Sequence, residues 1–334
     1  MLKTPLCDDL GIEHPIFSVG FAAGAGPELA AAVSNAGACG VLGSGGQPAP
    51  YLREKIRKLR AMTSKPFGVN VILAIRREGV IEACIEEAVP ILVLFWGDPK
   101  PWVNDAHQQG IKVIMQVGSV DEARVAAEAG VDAIIAQGFE AGGHVRGRTA
   151  LTTLLPSVVE AVEPLPVIAS GGIATGRGIV AALSLGAQGV SMGTRFVASE
   201  EAFIPLQYKE RVVKSRAEDT VYCEQLFDVG WSNAPHRVIR NRVVEDWEAA
   251  GRPAIGQRPG EGTRIGTVTR GGQTTDVPRY APIMLTPEFE GDIEYAPFWA
   301  GESCSLISDI RPAAQIVRDL VREAEGIIAG MKAT

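Results

Sequence analysis

Several things are missing from this 334-residue chain, and each absence removes a class of function. No run is long and apolar enough to span a bilayer. The opening residues, MLKTPLCDDLGIEHP, lack the apolar core of a secretory signal. Cysteine is sparse: Cys7, Cys39, Cys84, Cys223 and Cys304 are scattered, odd in number and without a CxxC pair. That leaves a disulfide framework and a thiolate metal site without support, and points to a reducing, cytoplasmic setting. No HExxH and no Cys/His set marks a metal, so none is expected. Positive charge is not in excess either. Lys and Arg number 32 against 39 Asp and Glu, a net charge of -7, which argues against general affinity for nucleic acid or an anionic membrane. A small anionic ligand stays compatible, because a few backbone N–H groups suffice to bind phosphate. Nothing in the composition bears on oligomeric state.

What is present is apolar and regular. Hydrophobic residues make up 46% of the chain, enough for a sizeable core. Short apolar runs at 15–19, 39–42, 68–73, 91–95, 112–116, 133–137, 166–170 and 189–192 read as eight strands. Segments at 27–35, 49–60, 78–87, 101–109, 121–128, 151–162 and 176–185 have helical spacing. Ser119 and Pro27 mark helix starts; Gly37, Gly110, Gly130 and Gly186 mark ends. Continuous apolar strands alternating with helices imply a parallel sheet covered on both faces. Eight of them imply a (β/α)₈ TIM barrel rather than an open doubly wound sheet, whose G-x-G-x-x-G fingerprint is absent after the first strand.

The alternation breaks near Ser199. Residues 201–300 read as an inserted smaller domain, mainly helical, with helices at 204–216 and 237–250 and a polar, glycine-rich stretch at 251–279. A final helix at 313–328 completes the barrel. The expected domains are therefore 1–200 with 301–334, and 201–300 as a substrate lid over the C-terminal barrel face, where such barrels place their sites.

Glycine clusters fall at that face. Ser170-Gly171-Gly172 follows the seventh strand and opens a helix at Gly176; Met192-Gly193-Thr194 follows the eighth. Glycine lets backbone N–H groups approach an anion, and loops seven and eight are the usual phosphate site of the fold. Asn70, Gln116 and Gln137 stand at strand ends, where their amides can both donate and accept. AQGFEAGGHVRG, 136–147, sets His144 on glycine-rich backbone directly after the sixth strand. His14, His107 and His236 lack such a context and read as structural. Arg146 and Arg148 read equally as partners for an anion or as solvated charges.

Taken together, HPIFSVGFAAGAGPELAAAVSNAGACGVLGSG, FGVNVIL, AQGFEAGGHVRG, ASGGIATGRGIVAALSLGAQGVSMGTRF and FWAGESCSLI resemble the nitronate monooxygenase family. The resemblance covers 15–199 and returns at 299–307. It implies FMN in the barrel. Gly20, Phe21 and Ala22 would line the flavin; Asn70, Gln116 and Gln137 would contact the ring or ribityl chain. Gly142 and Gly143 would pass close to the ring, and Ser170, Gly171, Gly172, Gly193 and Thr194 would hold the phosphate. His144 would meet the substrate as hydrogen-bond partner or base, with an imidazole near its ordinary pKa of ~6.5. Phe21 stands where many relatives have methionine, and Glu302 where many have glutamine. The implied activity is oxidation of a nitronate or nitroalkane with oxygen to a carbonyl compound and nitrite. The alternative is an NAD(P)H-dependent flavin reductase of quinones or enoyl thioesters. A binding barrel without catalysis is least supported, since His144 sits in an intact EAGGH.

Overall fold

A computed structural model describes residues 2–270 and 272–332. Eight parallel strands form its centre: β1 (Ile16–Ser18), β2 (Gly40–Gly43), β3 (Phe67–Ile72), β4 (Ile91–Phe95), β5 (Lys112–Val117), β6 (Ala133–Gln137), β7 (Val167–Ser170) and β8 (Gly189–Met192). Each pairs with its neighbours in chain order, and β1 pairs with β8. The ring closes between β1 and β2, where Cys39 donates to Ile16 O at 2.8 Å and Ser18 donates to Cys39 O at 3.0 Å. The expected barrel is therefore present, and its helices lie within a few residues of their expected positions, the 27–35 and 151–162 helices among them.

Strand periodicity explains both cores. Ile91 and Val93, Ile114, Ala133 and Ile135, and Ile168 point into the barrel. Leu92 and Leu94, Val113, Ile134 and Ala169 point outward to the helices. Both faces are apolar because both are covered. A short helix, Pro5–Leu10, adds Leu6, Cys7 and Leu10 to the inner cluster; the sequence offered no reading of it. Two residues further along each strand, the inward alternation reaches Asn70, Gln116, Gln137 and Ser170. All four are buried; Gln116, Gln137 and Ser170 stand at or beside the C-terminal ends of their strands, and Asn70 two residues before the end of β3.

The segment after β8 departs from expectation. It is mixed rather than mainly helical. Helices Leu206–Lys214 and Arg242–Ala249 are joined by strands β9 (Thr220–Cys223), β10 (His236–Ile239), β11 (Arg264–Arg270), β12 (Gln273–Pro278) and β13 (Phe289–Gly291). The expected 237–250 helix begins as a strand because His236-Arg237-Val238-Ile239 alternates in the sheet. The helix starts only after Asn241, whose side chain accepts from Val244 N at 3.2 Å. The polar, glycine-rich stretch contains a β11–β12 hairpin, its Thr-rich strands paired from Arg264↔Pro278 to Arg270↔Gln273. Among the described residues no helix is long and apolar enough to cross a membrane.

Candidate active site

The loop after β6 is built mainly by its own chain. Glu140 places its carboxylate 3.0 Å from Leu151 N, capping the 151–162 helix, so this acid is structural. Gly142 is glycine because a methyl there would lie 2.2 Å from the Ala300 carbonyl carbon and the Gly301 nitrogen. Gly147 meets Gly118 O in the same way, at 2.0 Å. The backbone of 300–301 thus explains why position 142 is glycine. Gly143 differs, with φ +69 and nothing within 4 Å of an added methyl.

Gln137 also serves the loop. Its amide donates to His144 O at 2.9 Å and accepts from Arg146 N at 3.1 Å, so both ends of the group are engaged. Asn70 donates to Val93 O at 3.3 Å and packs under Gly20, where a methyl would lie 2.5 Å from its Cβ. Gln116 is buried at the end of β5. Phe21 lies against Gly24, and Ala22 takes a left-handed φ of 50 against Gly43.

The loops after β7 and β8 have a different character. Gly171 and Gly172 have φ of +101 and +70, which few L side chains adopt. The N–H groups of Gly172, Ile173 and Gly193 enter no hydrogen bond among the described residues. A methyl at Gly172 or Gly193 would meet nothing closer than 3.6 or 3.7 Å, so the loops leave room as well as donors. A phosphate fits here. The helix starting at Gly176 is already capped, with Gly176 N donating to Glu323 at 2.7 Å and Gly178 N to Thr175 at 3.2 Å. Thr194 turns its hydroxyl to Gly301 N at 3.0 Å, and Ser170 accepts on its carbonyl from Gly138 N at 2.8 Å. Thr194 and Ser170 therefore tie the cradle to the His144 loop and to 301. Arg195 is buried against Asp309, bonding Oδ1 at 3.1 Å and the carbonyl at 2.7 Å.

His144 pairs in register with His236 of β10, so the insertion supplies one wall of its surroundings. Trp231 stacks on its ring at 4.1 Å, 31° from parallel, and Trp299 and Trp96 approach at 5.2 and 6.0 Å. The ring is half-buried, and its Nε2 is shut from solvent without a hydrogen-bond partner. Burial, reinforced by His236, pushes its pKa down to about 3. The expectation of an ordinary value is thereby corrected: the ring is neutral at working pH. His236 is likewise buried and neutral, its pKa down to about 4, but it is satisfied: Nδ1 bonds Ala234 O at 2.9 Å and Nε2 accepts from Phe227 N at 3.3 Å. His107 pairs with Asp132 at the surface, and His14 is remote, at the start of β1.

Sequence reasoning missed the three tryptophans. Trp299 lay inside a quoted motif, Trp231 in a Gly-Trp-Ser-Asn turn, and Trp96 just past β4, where its φ of 62 is unusual for a bulky residue. It also missed Arg237, buried between Phe139 O at 3.0 Å and Glu302 at 3.1 Å. Burial pulls this guanidinium below its ordinary pKa against the attraction of Glu302, which accounts for an acid at 302. Arg146 is committed to Glu122 at 2.6 Å and lies 4.9 Å over Trp96. Among the described residues no cluster of three His, Cys, Asp or Glu side chains could hold a metal.

Comparison with known proteins adds to this geometry. The family described as nitronate monooxygenase matches residues 3–79 and 73–323. A Mycobacterium tuberculosis protein named (3aS,4S,5R,7aS)-5-hydroxy-7a-methyl-1-oxo-octahydro-1H-indene-4-carboxyl-CoA dehydrogenase is 39% identical over 254 residues, 75% of this chain and 70% of its own. A nitronate monooxygenase of Pseudomonas aeruginosa is 32% identical over 95% of this chain and 98% of its own. FabK from Thermotoga maritima superposes with a TM-score of 0.82 at 36% identity, covering 100% and 99% of the two chains.

Proposed function

The chain belongs to the nitronate monooxygenase family of oxidoreductases, and from that premise we propose an FMN-dependent enzyme that oxidises a nitronate with dioxygen to a carbonyl compound and nitrite. The observation that carries this reading is the unpartnered Nε2 of a neutral His144, on the loop that Gly138 N ties to the end of β7, where the open cradle begins. Gly172, Ile173 and Gly193 would hold the terminal phosphate of FMN, and Asn70 and Gln116 would face its ring or ribityl chain. Bound FMN would take electrons from the substrate and hand them to dioxygen.

The rest belongs to the chain. Neutral His144 offers an N–H to an anionic oxygen of the nitronate. Burial lowers its pKa and makes it a weak base, which favours the preformed anion over the neutral nitroalkane as substrate. Trp96, Trp231 and Trp299 exclude water and strengthen that hydrogen bond. Residues 201–300 act as the lid domain. Supporting this, Trp231 and Ala234 pack with Phe95 and Trp96 at the end of β4, and Val145 N bonds Pro235 O at 2.9 Å. The five cysteines are all unpaired and buried, which suits a cytoplasmic enzyme.

The test is direct. Denatured protein should release FMN, and the holoenzyme should turn over a nitronate at higher kcat/KM than the parent nitroalkane. Release of FAD, or equal use of the two substrates, would sink the corresponding half of the reading. A second reading is NAD(P)H-dependent reduction of an enoyl thioester or quinone, of which the 39% identity to a carboxyl-CoA dehydrogenase supports the thioester part. Anaerobic bleaching of the flavin by NADH or NADPH separates the two.

A further inference from the structure

The polar, glycine-rich stretch after Ala249 contains a fully buried charge. The Arg258 side chain is 0% exposed. It donates to Leu226 O at 2.7 Å, to Asp228 Oδ1 at 2.6 Å and, through Nε, to Glu261 Oε1 at 3.0 Å. Glu261 also accepts from Gly256 N at 2.7 Å and Arg258 N at 3.2 Å, so 256–261 closes on its own arginine. Tyr280 packs its ring 4.3 Å from the guanidinium and donates its hydroxyl to Pro259 O at 2.8 Å. Replacing a buried ionic network by apolar side chains is often neutral or even stabilising. The value of this one therefore lies in what a rigid fork of several donors holds in place.

What it holds is the start of a turn. Trp231 N donates to Asp228 O at 2.9 Å, directly after the two residues that Arg258 grips. From 229 to 233 every residue except Trp231 is exposed. Gly230 and Asn233 take left-handed φ of 81 and 58. The turn thus sends one tryptophan inward, where its ring stacks on His144 at 4.1 Å and meets Trp96 at 5.1 Å. The far end of the turn is held separately, by Val145 N on Pro235 O at 2.9 Å.

We propose that Arg258 is a positioning residue for His144, acting through the 226–231 turn to keep Trp231 against the imidazole. It touches neither His144 nor substrate. Without its grip the near end of the turn is free, Trp231 can leave the ring, and water reaches an Nε2 that is otherwise shut from solvent. Lysine cannot substitute, because one ammonium does not span Leu226 O, Asp228 and Glu261 together. This role rests on the proposed reading of His144 as the group that meets the substrate. It also gives the polar stretch a purpose in the site it does not line.

Arg258→Lys tests it, because the charge stays and the fork is lost. Labelling of the holoenzyme with diethyl pyrocarbonate, mapped by peptide mass spectrometry, reads access to His144 without any substrate. The variant should label His144 about tenfold faster than wild type, with His236 still protected. KM for the nitronate should rise about tenfold while kcat changes less than about threefold. In a Trp231→Ala background, adding Arg258→Lys should change either readout by no more than about twofold, since the two act in series. Should Arg258→Lys fail to fold, Asp228→Asn keeps an acceptor but removes its charge, and should move both readouts in the same direction by about threefold. A variant that lowers Tm but leaves His144 labelling and KM at wild-type values overturns the proposal. So does an undiminished effect of Arg258→Lys in the Trp231→Ala background. Faster His144 labelling without nitronate turnover would keep this role and remove the proposed substrate; turnover with unchanged labelling would do the reverse.

Discussion

Two groups of positions at the barrel mouth share residue types and differ in what they face. Gly142, Gly147 and His236 are closed against the chain: the glycines by backbone 2.0–2.2 Å from an added methyl, the histidine by hydrogen bonds on both nitrogens. Gly172, Gly193 and His144 are open: the glycines have room for a methyl, and the histidine holds an unpartnered nitrogen. The first group holds the loops in place, and the second is left for a ligand. Residue type alone does not separate them, because glycine answers equally to crowding by backbone and to crowding by a cofactor.

The comparison breaks most visibly at Gly142. Gly142→Ala must push Ala300 and Gly301 away; Gly301 N bonds the Thr194 hydroxyl, and the next residue, Glu302, bonds Glu140 O. Overpacking against backbone that cannot rotate aside should destabilise by about 3 kcal/mol, a fall in Tm of roughly 5 °C or more. A thermal melt within 1–2 °C of wild type would show that segment 300–301 moves freely and that Gly142 belongs to the open group after all.

Next comes His144→Ala, which tests the open group without disturbing the closed one. The variant should fold and keep its flavin. Loss of a hydrogen bond to a charged substrate should lower kcat with the nitronate about 10²-fold. His236→Gln, by contrast, should act first on stability. Unchanged turnover in His144→Ala would return the histidine to a packing role among the tryptophans.

How much of this was legible depended on whether sequence neighbours were also neighbours in space. The strands and helices of the barrel were, because β/α alternation is local and β4, β6 and β8 needed no correction. The inward set Asn70, Gln116, Gln137 and Ser170 followed from the same period of two. The closed contacts were not legible. Gly142 against Ala300, Thr194 against Gly301 and Arg237 against Glu302 join residues 65 or more positions apart. Within the insertion, β10 depends on pairing with Gly143–His144, and no local pattern announces that partner. A strand stabilised from so far away reads as a helix start when only its own residues are considered.

A smaller effect sharpens the open side. Gly193→Ala has room, with Val19 at 3.7 Å, so Tm should stay within about 2 °C of wild type. The added methyl enters the space proposed for the phosphate, and FMN affinity should drop about tenfold, roughly 1.4 kcal/mol. Fluorescence titration of the apoprotein measures it. Unaltered affinity would move the phosphate away from β8.

The smallest effect concerns protons and compares the two imidazoles. Burial lowers both, His144 to about 3 and His236 to about 4, from 6.5. The native chain therefore keeps both neutral where the unfolded chain protonates them. Stability from this source is complete above pH ~6.5 and declines as pH falls below it, because the unfolded state then binds more protons. For His236, fully buried, the loss at pH 5.5 should be about 1 kcal/mol, or roughly 2 °C in Tm. His144, its Nε2 also shut from solvent and its pKa also below 5.5, should lose a similar amount. Melts at pH 7.0 and 5.5 for wild type and His236→Gln measure the difference, above the range in which carboxylates titrate. The variant should show the smaller decline. Equal declines would mean that His236 protonates in place, breaking its bond from Phe227 N. The closed histidine would then be no more closed than His144.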